Sequence, residues 1–137
     1  MVLAEIATYL AAYSPSLGLT AGTNLLYGMM PPSPDICVAL HEYSSLMPEY
    51  QLGVDNINIE YPQVQVAVRG VRDEYDAPRL LINNIISALL KIHDQSLSGV
   101  KYYAVLPKQS PFSLAPDENM RRIFICNFHV MKDWSIT

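Results

Sequence analysis

The sequence predicts a domain that combines two helices with several β-strands, and three stretches of the chain carry this prediction. Residues 63–69 alternate, with three valines on one face and Gln63, Gln65 and Arg69 on the other, which is the two-residue period of a strand. Residues 81–92 place apolar side chains at helical spacing in one broad stripe. Residues 120–133 are apolar on both faces, which indicates a strand in the centre of a sheet. At 137 residues the chain has the usual size of one domain, so we expect a single domain, 1–137.

The chain opens with a predicted helix. Leu3, Ile6, Leu10 and Tyr13 recur three or four positions apart, which is the spacing of one helical face. A Ser-Pro-Ser sequence follows and stops the helix. Beyond it, a short extended stretch at 24–27 lies between glycines.

A strand and a long loop are predicted next. A proline-rich turn at 31–35 leads into 36–43, whose β-branched and aromatic content favours a strand. Residues 44–62 are polar or mixed and are interrupted by two prolines and a glycine, so they predict a loop. A loop of this length inside one domain is uncommon unless it is functional or disordered.

The main helix is predicted between two turns. Gly70 ends the alternating strand, and the acidic residues within 73–76 suit the positive end of a following helix. Pro78 falls in the first turn, where its missing N–H costs little, and His93-Asp94 closes the helix. The remaining elements, in order, are a strand at 100–106, a proline-containing loop at 107–119 and the strand at 120–133.

Charge is distributed unevenly along the chain. The six acidic residues that precede Arg69 have no basic residue among them, whereas all nine basic residues begin at Arg69. A chain that docks an acidic side onto the basic side of an identical neighbour gains complementarity at each contact. The alternative is that the charges are merely uneven along one globule, and the sequence favours neither. Only 16% of residues are charged, below the usual quarter, which indicates apolar surface reserved for partners.

Composition also excludes some classes of protein. The net charge of −4 argues against tight nucleic-acid binding through phosphate neutralisation. The N-terminus lacks the basic start of a signal peptide, and no apolar run is long enough to cross a membrane. Cys37 and Cys126 lie in apolar strand-like runs and are predicted to be buried free thiols, with a bridge between them as the less favoured alternative.

No pattern of reactive residues stands out, and we predict no catalytic site, metal site or cofactor. His41, His93 and His129 do not have the spacing of zinc ligands. His41 and His129 could be neighbours on adjacent strands, but half-exposed polar residues are the better interpretation. The sequence has no G-x-S-x-G motif, and its glycines are too far apart for a phosphate loop.

Methionines and tyrosines cluster instead around the loops of the acidic part. These residue types are common at interfaces, although core filling is the favoured interpretation for any single one of them. They are Tyr27, Met29, Met30, Tyr43, Met47 and Tyr50.

Several stretches, in order along nearly the whole chain, resemble a family of phage proteins classed as minor capsid proteins and related to tail terminator, or tail completion, proteins. The stretches are a short N-terminal helix, 19–28, 30–35, the strand 62–70 with Tyr75 and the helix behind it, 109–112 with Asp117 and Arg122, and the strand around Asn127-Phe128. One departure is Ser44-Ser45, where the family pattern favours glycine.

The resemblance implies an α+β fold, with a mostly antiparallel β-sheet, two main α-helices packed on one face, and long loops. It also implies a ring of identical subunits, expected to be a hexamer, at the head-proximal end of the tail. Such a ring ends growth of the tail tube and joins the tail protein to neck or head-completion proteins. DNA passes through the bore without specific binding, and an acidic bore would let it slide. No membrane is involved, and the expected location is the virion tail or neck, assembled in the bacterial cytoplasm.

Under this hypothesis we predict which residues form contacts between subunits or with other partners. The basic candidates are Arg69, Arg72 and Arg79, and the candidates from the acidic part are Glu42, Glu49, Tyr50, Asp55 and Glu60. Two alternatives remain open. One is another connector or head-completion protein of the neck. The other is a small-ligand-binding domain or enzyme with a pocket under the 107–119 loop.

Overall fold

The computed structural model describes residues 1–13, 17–49 and 58–134, apart from the side chains of residues 45, 47 and 49. Within these ranges the chain forms two helices and seven strands. They are α1 (Val2–Tyr13), β1 (Leu25–Tyr27), β2 (Cys37–Glu49), β3 (Ile59–Arg72), α2 (Asp76–Leu90), β4 (His93–Leu97), β5 (Val100–Pro107), β6 (Phe112–Ser113) and β7 (Arg121–Asp133).

The strands form one sheet in the order β1-β2-β3-β7-β5-β4, and β6 pairs with β7. Every pairing is antiparallel except that of β1 with β2. This confirms the predicted α+β class with a mostly antiparallel sheet. It also confirms the central position of the last long strand, because β7 lies between β3 and β5.

Both helices pack on one face of this sheet, where the hydrophobic core lies. The valines of β3 point into it together with Phe124 and Phe128 of β7. The apolar stripe of α2 meets them through Ile82, Ile85 and Leu89, all essentially inaccessible to water. A fully buried side chain of this size stabilises the fold by about 1.5–3 kcal/mol, so the predicted stripe and the predicted valine face together build the core.

The opposite face of the sheet is also largely shielded near one end. Gln63, Ala67 and Arg69 of β3 are buried there, together with Cys37 and Ile125. The alternation of β3 therefore separates an apolar core from a second, more polar layer. The prediction of buried free thiols is confirmed, since Cys37 and Cys126 are both buried and unbridged.

The loop predicted at 44–62 is wrong at both of its ends. β2 continues to Glu49, and β3 already begins at Ile59, with Leu46 opposite Tyr61 and Glu49 opposite Ile59. Two register shifts interrupt this pairing, and such bulges let a strand pass residues that would otherwise break the ladder. Prolines interrupt hydrogen bonding but not pairing when they fall at a bulge or an edge.

Three smaller boundaries also differ from prediction. Gly70 does not end its strand, because β3 runs on to Arg72 through a register shift. His93-Asp94 belongs to β4, because α2 stops at Leu90. A two-residue turn with positive φ at Ser98 and Gly99 then joins β4 to β5, as short hairpins favour. The predicted loop at 107–119 contains the short strand β6.

Gly70 is needed because the first turn of α2 presses against it. A Cβ built on this residue would lie 2.6 Å from the Cγ of Pro78, far inside contact distance. The glycine therefore allows β3 and α2 to approach closely.

We predict that Gly70→Ala destabilises the chain by about 1–3 kcal/mol, the usual cost of overpacking a core. The measurement is the urea dependence of unfolding. Gly99→Ala is not a suitable control because of its positive φ, so Ser87→Ala, on the exposed side of α2, serves instead. Equal stability of Gly70→Ala and wild type would contradict the close approach.

A buried charged cluster ties α1 to the sheet. Glu5 of α1 accepts hydrogen bonds from the Tyr102 hydroxyl at 2.6 Å and from Lys132 Nζ at 2.7 Å. Lys132 also lies 3.8 Å from a carboxylate oxygen of Glu60 and 5.3 Å from the centre of the Tyr102 ring. All these groups except Glu60 are buried, so each depends on its partners for the solvation that it has lost.

The titration of Glu5 reflects this balance. Burial by itself would raise the pKa of Glu5, but the hydrogen bonds from Lys132 and Tyr102 outweigh it, and the pKa is lowered. A carboxylate with a lowered pKa stabilises the fold above its ordinary pKa, and that contribution is lost as the pH falls through the folded-state value.

We predict that Glu5→Gln lowers the free energy of unfolding at pH 7 by about 3 kcal/mol, because it leaves the Lys132 ammonium buried without its counter-charge. Urea unfolding of variant and wild type between pH 7 and pH 3 measures the difference in the free energy of unfolding. This difference should become smaller as the pH falls, since acid protonates the Glu5 carboxylate of the wild type and so removes the charge that the variant lacks. Glu118→Gln, at an exposed position, is the control, and a gap that stays constant with pH would refute the assigned role.

Candidate assembly surface

The described residues contain no cluster that suggests chemistry at a metal ion. No group of three or more His, Cys, Asp or Glu side chains in these ranges is arranged to hold one. His41 and His129 are not neighbours, because β3 lies between their strands. Both are half-buried, and His129 stacks on Tyr61 with ring centres 5.7 Å apart.

The two thiols are poorly suited to act as nucleophiles. Burial raises the pKa of Cys37, and it raises the pKa of Cys126 to about 11. Only the thiolate is reactive, so both side chains stay protonated near neutral pH and behave as small apolar groups.

A cleft does lie beside the segment where a ligand pocket was considered. It is lined by Arg79, Asn83 and Ile86 of α2 and by the segment 107–111, and its volume is about 360 Å³. Its lining includes no carboxylate, imidazole or thiol. The lining does include the amine of Lys108 and the hydroxyl of Ser110, but no carboxylate or imidazole of the lining stands beside them to activate either one.

The most elaborate polar arrangement is a pair of buried arginines that holds a proline-rich loop. Arg69 of β3 donates to the carbonyl oxygens of Pro31, Pro34 and Asp35 at 2.6, 2.7 and 3.0 Å. The guanidinium has five donors in a rigid fork, so one side chain satisfies three backbone acceptors and fixes the turn between β1 and β2.

Arg121 of β7 completes this arrangement from the neighbouring strand. It donates to the Pro32 carbonyl at 2.7 Å and pairs with the carboxylates of Asp35 at 3.0 Å and Asp117 at 2.9 Å. The same residue thus joins the 31–35 loop to the loop that precedes β7. We call Arg69 and Arg121 the arginine clamp.

The structure places the predicted interface arginines very differently. Arg69 is only 4% exposed and its donors are engaged within the chain, so it does not present its charge to a neighbour. Arg72 is exposed beside Asp73. Arg79 is half-buried on α2 and bonds to Asn83.

The acidic candidates are also divided. Glu42 is exposed on β2, whereas Glu60 is half-buried and close to Lys132. Glu49 is the last residue of β2, but its side chain, like all of Tyr50 and Asp55, lies outside the described residues.

Part of the charge asymmetry in the sequence is cancelled inside the fold. Glu5 and Glu60 pair with Lys132, and Asp35 pairs with Arg121. Half of the acidic residues that precede Arg69 therefore meet basic residues of the same chain. The asymmetry is only in part a property of the surface.

Exposed apolar side chains gather at one end of the sheet. β2 starts, β3 ends and β7 starts at this end, which we call the loop end and define by segments 29–36, 71–80 and 112–120. It carries seven large apolar side chains that are at least two-fifths exposed. They are Met29, Ile36, Tyr75, Leu80, Phe112, Leu114 and Met120.

Sequence patterns found only part of this surface. Met29 belongs to the predicted methionine and tyrosine cluster, and Tyr27 and Tyr43 of that cluster are also exposed. Phe112, Leu114 and Met120 were not predicted, because apolar residues within a loop carry no periodicity. Such a concentration of exposed apolar groups is typical of an interface with another protein.

An exposed apolar surface such as the loop end is typical of a protein that binds other proteins. The chain matches the model of a family described as bacteriophage tail terminator protein over residues 9–134. It belongs to that family, which confirms the resemblance noted in the sequence.

Known structures support the fold. The chain is similar to one from the virion of a native gene transfer agent particle, with a TM-score of 0.68 and 14% sequence identity, covering 96% of this chain and 94% of the other. Curated proteins give no match to the sequence. Neither described helix is long and apolar enough to cross a membrane.

We predict that Arg69→Met destabilises the chain by at least about 2 kcal/mol, because it removes three hydrogen bonds from a buried guanidinium and leaves three partly buried carbonyl oxygens without their donor. Arg72→Met, the same change at the exposed arginine three residues along, should alter stability by less than about 0.5 kcal/mol. Chemical denaturation of both variants measures this. Equal effects would contradict the different roles that we assign to the two arginines.

Proposed function

We propose that this chain forms a closed ring of identical subunits, a hexamer, at the head-proximal end of a phage tail. The ring ends growth of the tail tube and provides the surface to which neck or head-completion proteins attach. DNA passes through its bore without specific binding. The observation that carries this proposal is the family match over nearly the whole chain, combined with the apolar loop end.

The geometry favours contacts between unlike surfaces. A ring with rotational symmetry and head-to-tail contacts needs two different patches on each subunit. The loop end supplies one, and the outer part of β2 supplies another, since Tyr43 and Leu46 are exposed there. Glu42 and Glu60 are the proposed interface residues on the second patch, and Arg72 and Arg79 are those on the first. Glu49, Tyr50 and Asp55 remain proposed interface residues on the evidence of the sequence alone.

The proposed role involves no reaction and no cofactor. The subunits work in the virion and are assembled in the bacterial cytoplasm. The effect of a change at a proposed contact is therefore measured by particle morphology and by the oligomeric state of the chain.

Deletion of the gene tests the role in the tail. We expect overlong tails without attached heads, because tube growth is no longer stopped. Heads that lose DNA while tails keep their normal length would instead indicate a head-completion protein of the neck. Electron micrographs of the particles distinguish the two outcomes.

We predict that the double variant Arg72→Glu/Arg79→Glu assembles into rings at least about tenfold less well than wild type, because like charges then face the acidic patch. Light scattering and native mass spectrometry measure the subunit count. The control is Lys91→Glu/Lys101→Glu, with the same charge change at two exposed positions away from the loop end. Ring formation by the arginine variant at wild-type concentrations would exclude these two residues from the interface.

A further inference from the structure

A methionine at the loop end holds a backbone conformation that glycine adopts more easily. Within the described ranges, the residues other than glycine that have a positive φ are Asp73, Asp94, Ser98 and Met120. The first three have short polar side chains, which can hydrogen-bond locally and so tolerate this left-handed region. Methionine has no such group. At a φ of 59° its Cβ crowds the following carbonyl oxygen, which strains the backbone.

The turn that leads into β7 imposes this conformation. The Met120 N–H donates to the carbonyl oxygen of Asp117 at 2.9 Å, and the Asp117 N–H donates to that of Arg121 at 3.1 Å. In three-residue turns of this kind, the last residue of the loop is left-handed and favours glycine. The Asp73 N–H also donates to the Met120 carbonyl at 3.0 Å. All these bonds use the backbone, so none of them requires a methionine.

The side chain of Met120 does not pack into the interior that the structure describes. It is 46% exposed, and it belongs neither to the buried core nor to the partly buried apolar residues that pack against that core. A glycine at this position would relieve the backbone and leave the core intact. A residue that breaks a local rule without a structural gain points to a role in function.

Two further exposed apolar side chains lie on the same loop as Met120. Phe112 and Leu114 are each 42% exposed. Phe112 pairs with Ile125, and the Leu114 N–H donates to the Ile123 carbonyl at 2.9 Å, so the loop lies along the first residues of β7. Methionine is flexible and polarisable and adapts to the surface that it meets. Together with aromatic residues it is enriched in protein interfaces.

The charge of this loop identifies the kind of partner. Residues 109–120 contain no lysine or arginine, and they include Asp117 and Glu118. Such a segment repels phosphates, which excludes DNA as the partner of Met120. A protein surface fits the exposed apolar side chains, and the loop end is one of the two unlike patches of the proposed ring.

We propose that Met120 is a ring contact, whose side chain is buried against the next subunit when the ring closes. This inference rests on the proposed ring and deepens it. It identifies a residue that strains the isolated fold and serves the assembly.

The variant Met120→Gly separates assembly from folding. Glycine accepts the positive φ without strain, so the urea midpoint of the variant should equal or exceed that of wild type. Loss of the buried side chain should raise the concentration needed for ring formation at least about tenfold. Native mass spectrometry over a dilution series measures the subunit count. Met120→Leu keeps an apolar side chain and should retain ring formation within about threefold of wild type.

A matched control relieves the same conformation at a different place. Ser98 has a φ of 51° and lies in the turn between β4 and β5. Ser98→Gly should assemble as wild type does. Unchanged ring formation by Met120→Gly overturns the inference. A urea midpoint below that of wild type also overturns it, because the methionine would then serve the fold.

Photo-cross-linking identifies the partner. A diazirine-bearing aliphatic residue replaces Met120 in the full chain, and purified rings and purified virions are irradiated. Copies of the chain should become joined to each other, whereas the same residue in place of Ser98 should leave monomers. Capture of a different virion protein through position 120 overturns the inference but leaves the proposed ring standing. Absence of any ring from the wild-type chain, in solution and in virions, overturns the proposed function as well.

Discussion

The arginine clamp is the interaction on which the assembly surface depends. β3 and β7 lie side by side, so Arg69 and Arg121 meet at the same end of the sheet. Their guanidinium groups donate hydrogen bonds to carbonyl oxygens of the 31–35 loop and pair with the carboxylates of Asp35 and Asp117. Without them, a loop rich in proline would have few backbone donors of its own to hold its shape. The exposed apolar residues on both sides of the clamp would then lose their fixed positions.

The separation of acidic and basic residues along the sequence is partly lost in the folded chain. An acidic first part and a basic second part suggest docking between copies, but folding brings the two parts together first. Lys132 serves both Glu5 and Glu60, and Arg121 serves Asp35. What remains for a neighbour is a smaller set, with Glu42 on one side and the unburied arginines on the other. In the proposed ring, specificity between copies would therefore rest on a few charges that flank apolar contacts.

Most of the fold follows from periodicity, and the errors lie where periodicity is weak. The alternating valines of β3 and the apolar stripe of α2 predicted the core correctly. Each element buries one face, so burial repeats with the period of the element and is visible in the sequence. The extension of β2 to Glu49 was missed because its pairing with β3 is interrupted by bulges, which hide the two-residue period. The interface role assigned to Arg69 came from its charge alone. Its partners are carbonyl groups about thirty-five residues away, and a single sequence does not reveal such pairings.

The separation of the two proposed patches would let one small domain build the closed assembly that we propose. If both patches lay at the same end of the sheet, each subunit could cover its own apolar surface and would remain alone. Long strands keep the patches apart, since β3 starts beside the outer part of β2 and ends at the loop end. In the proposed assembly, a rigid sheet would fix the angle between successive subunits, and that angle decides whether head-to-tail contacts close into a ring or continue as a filament.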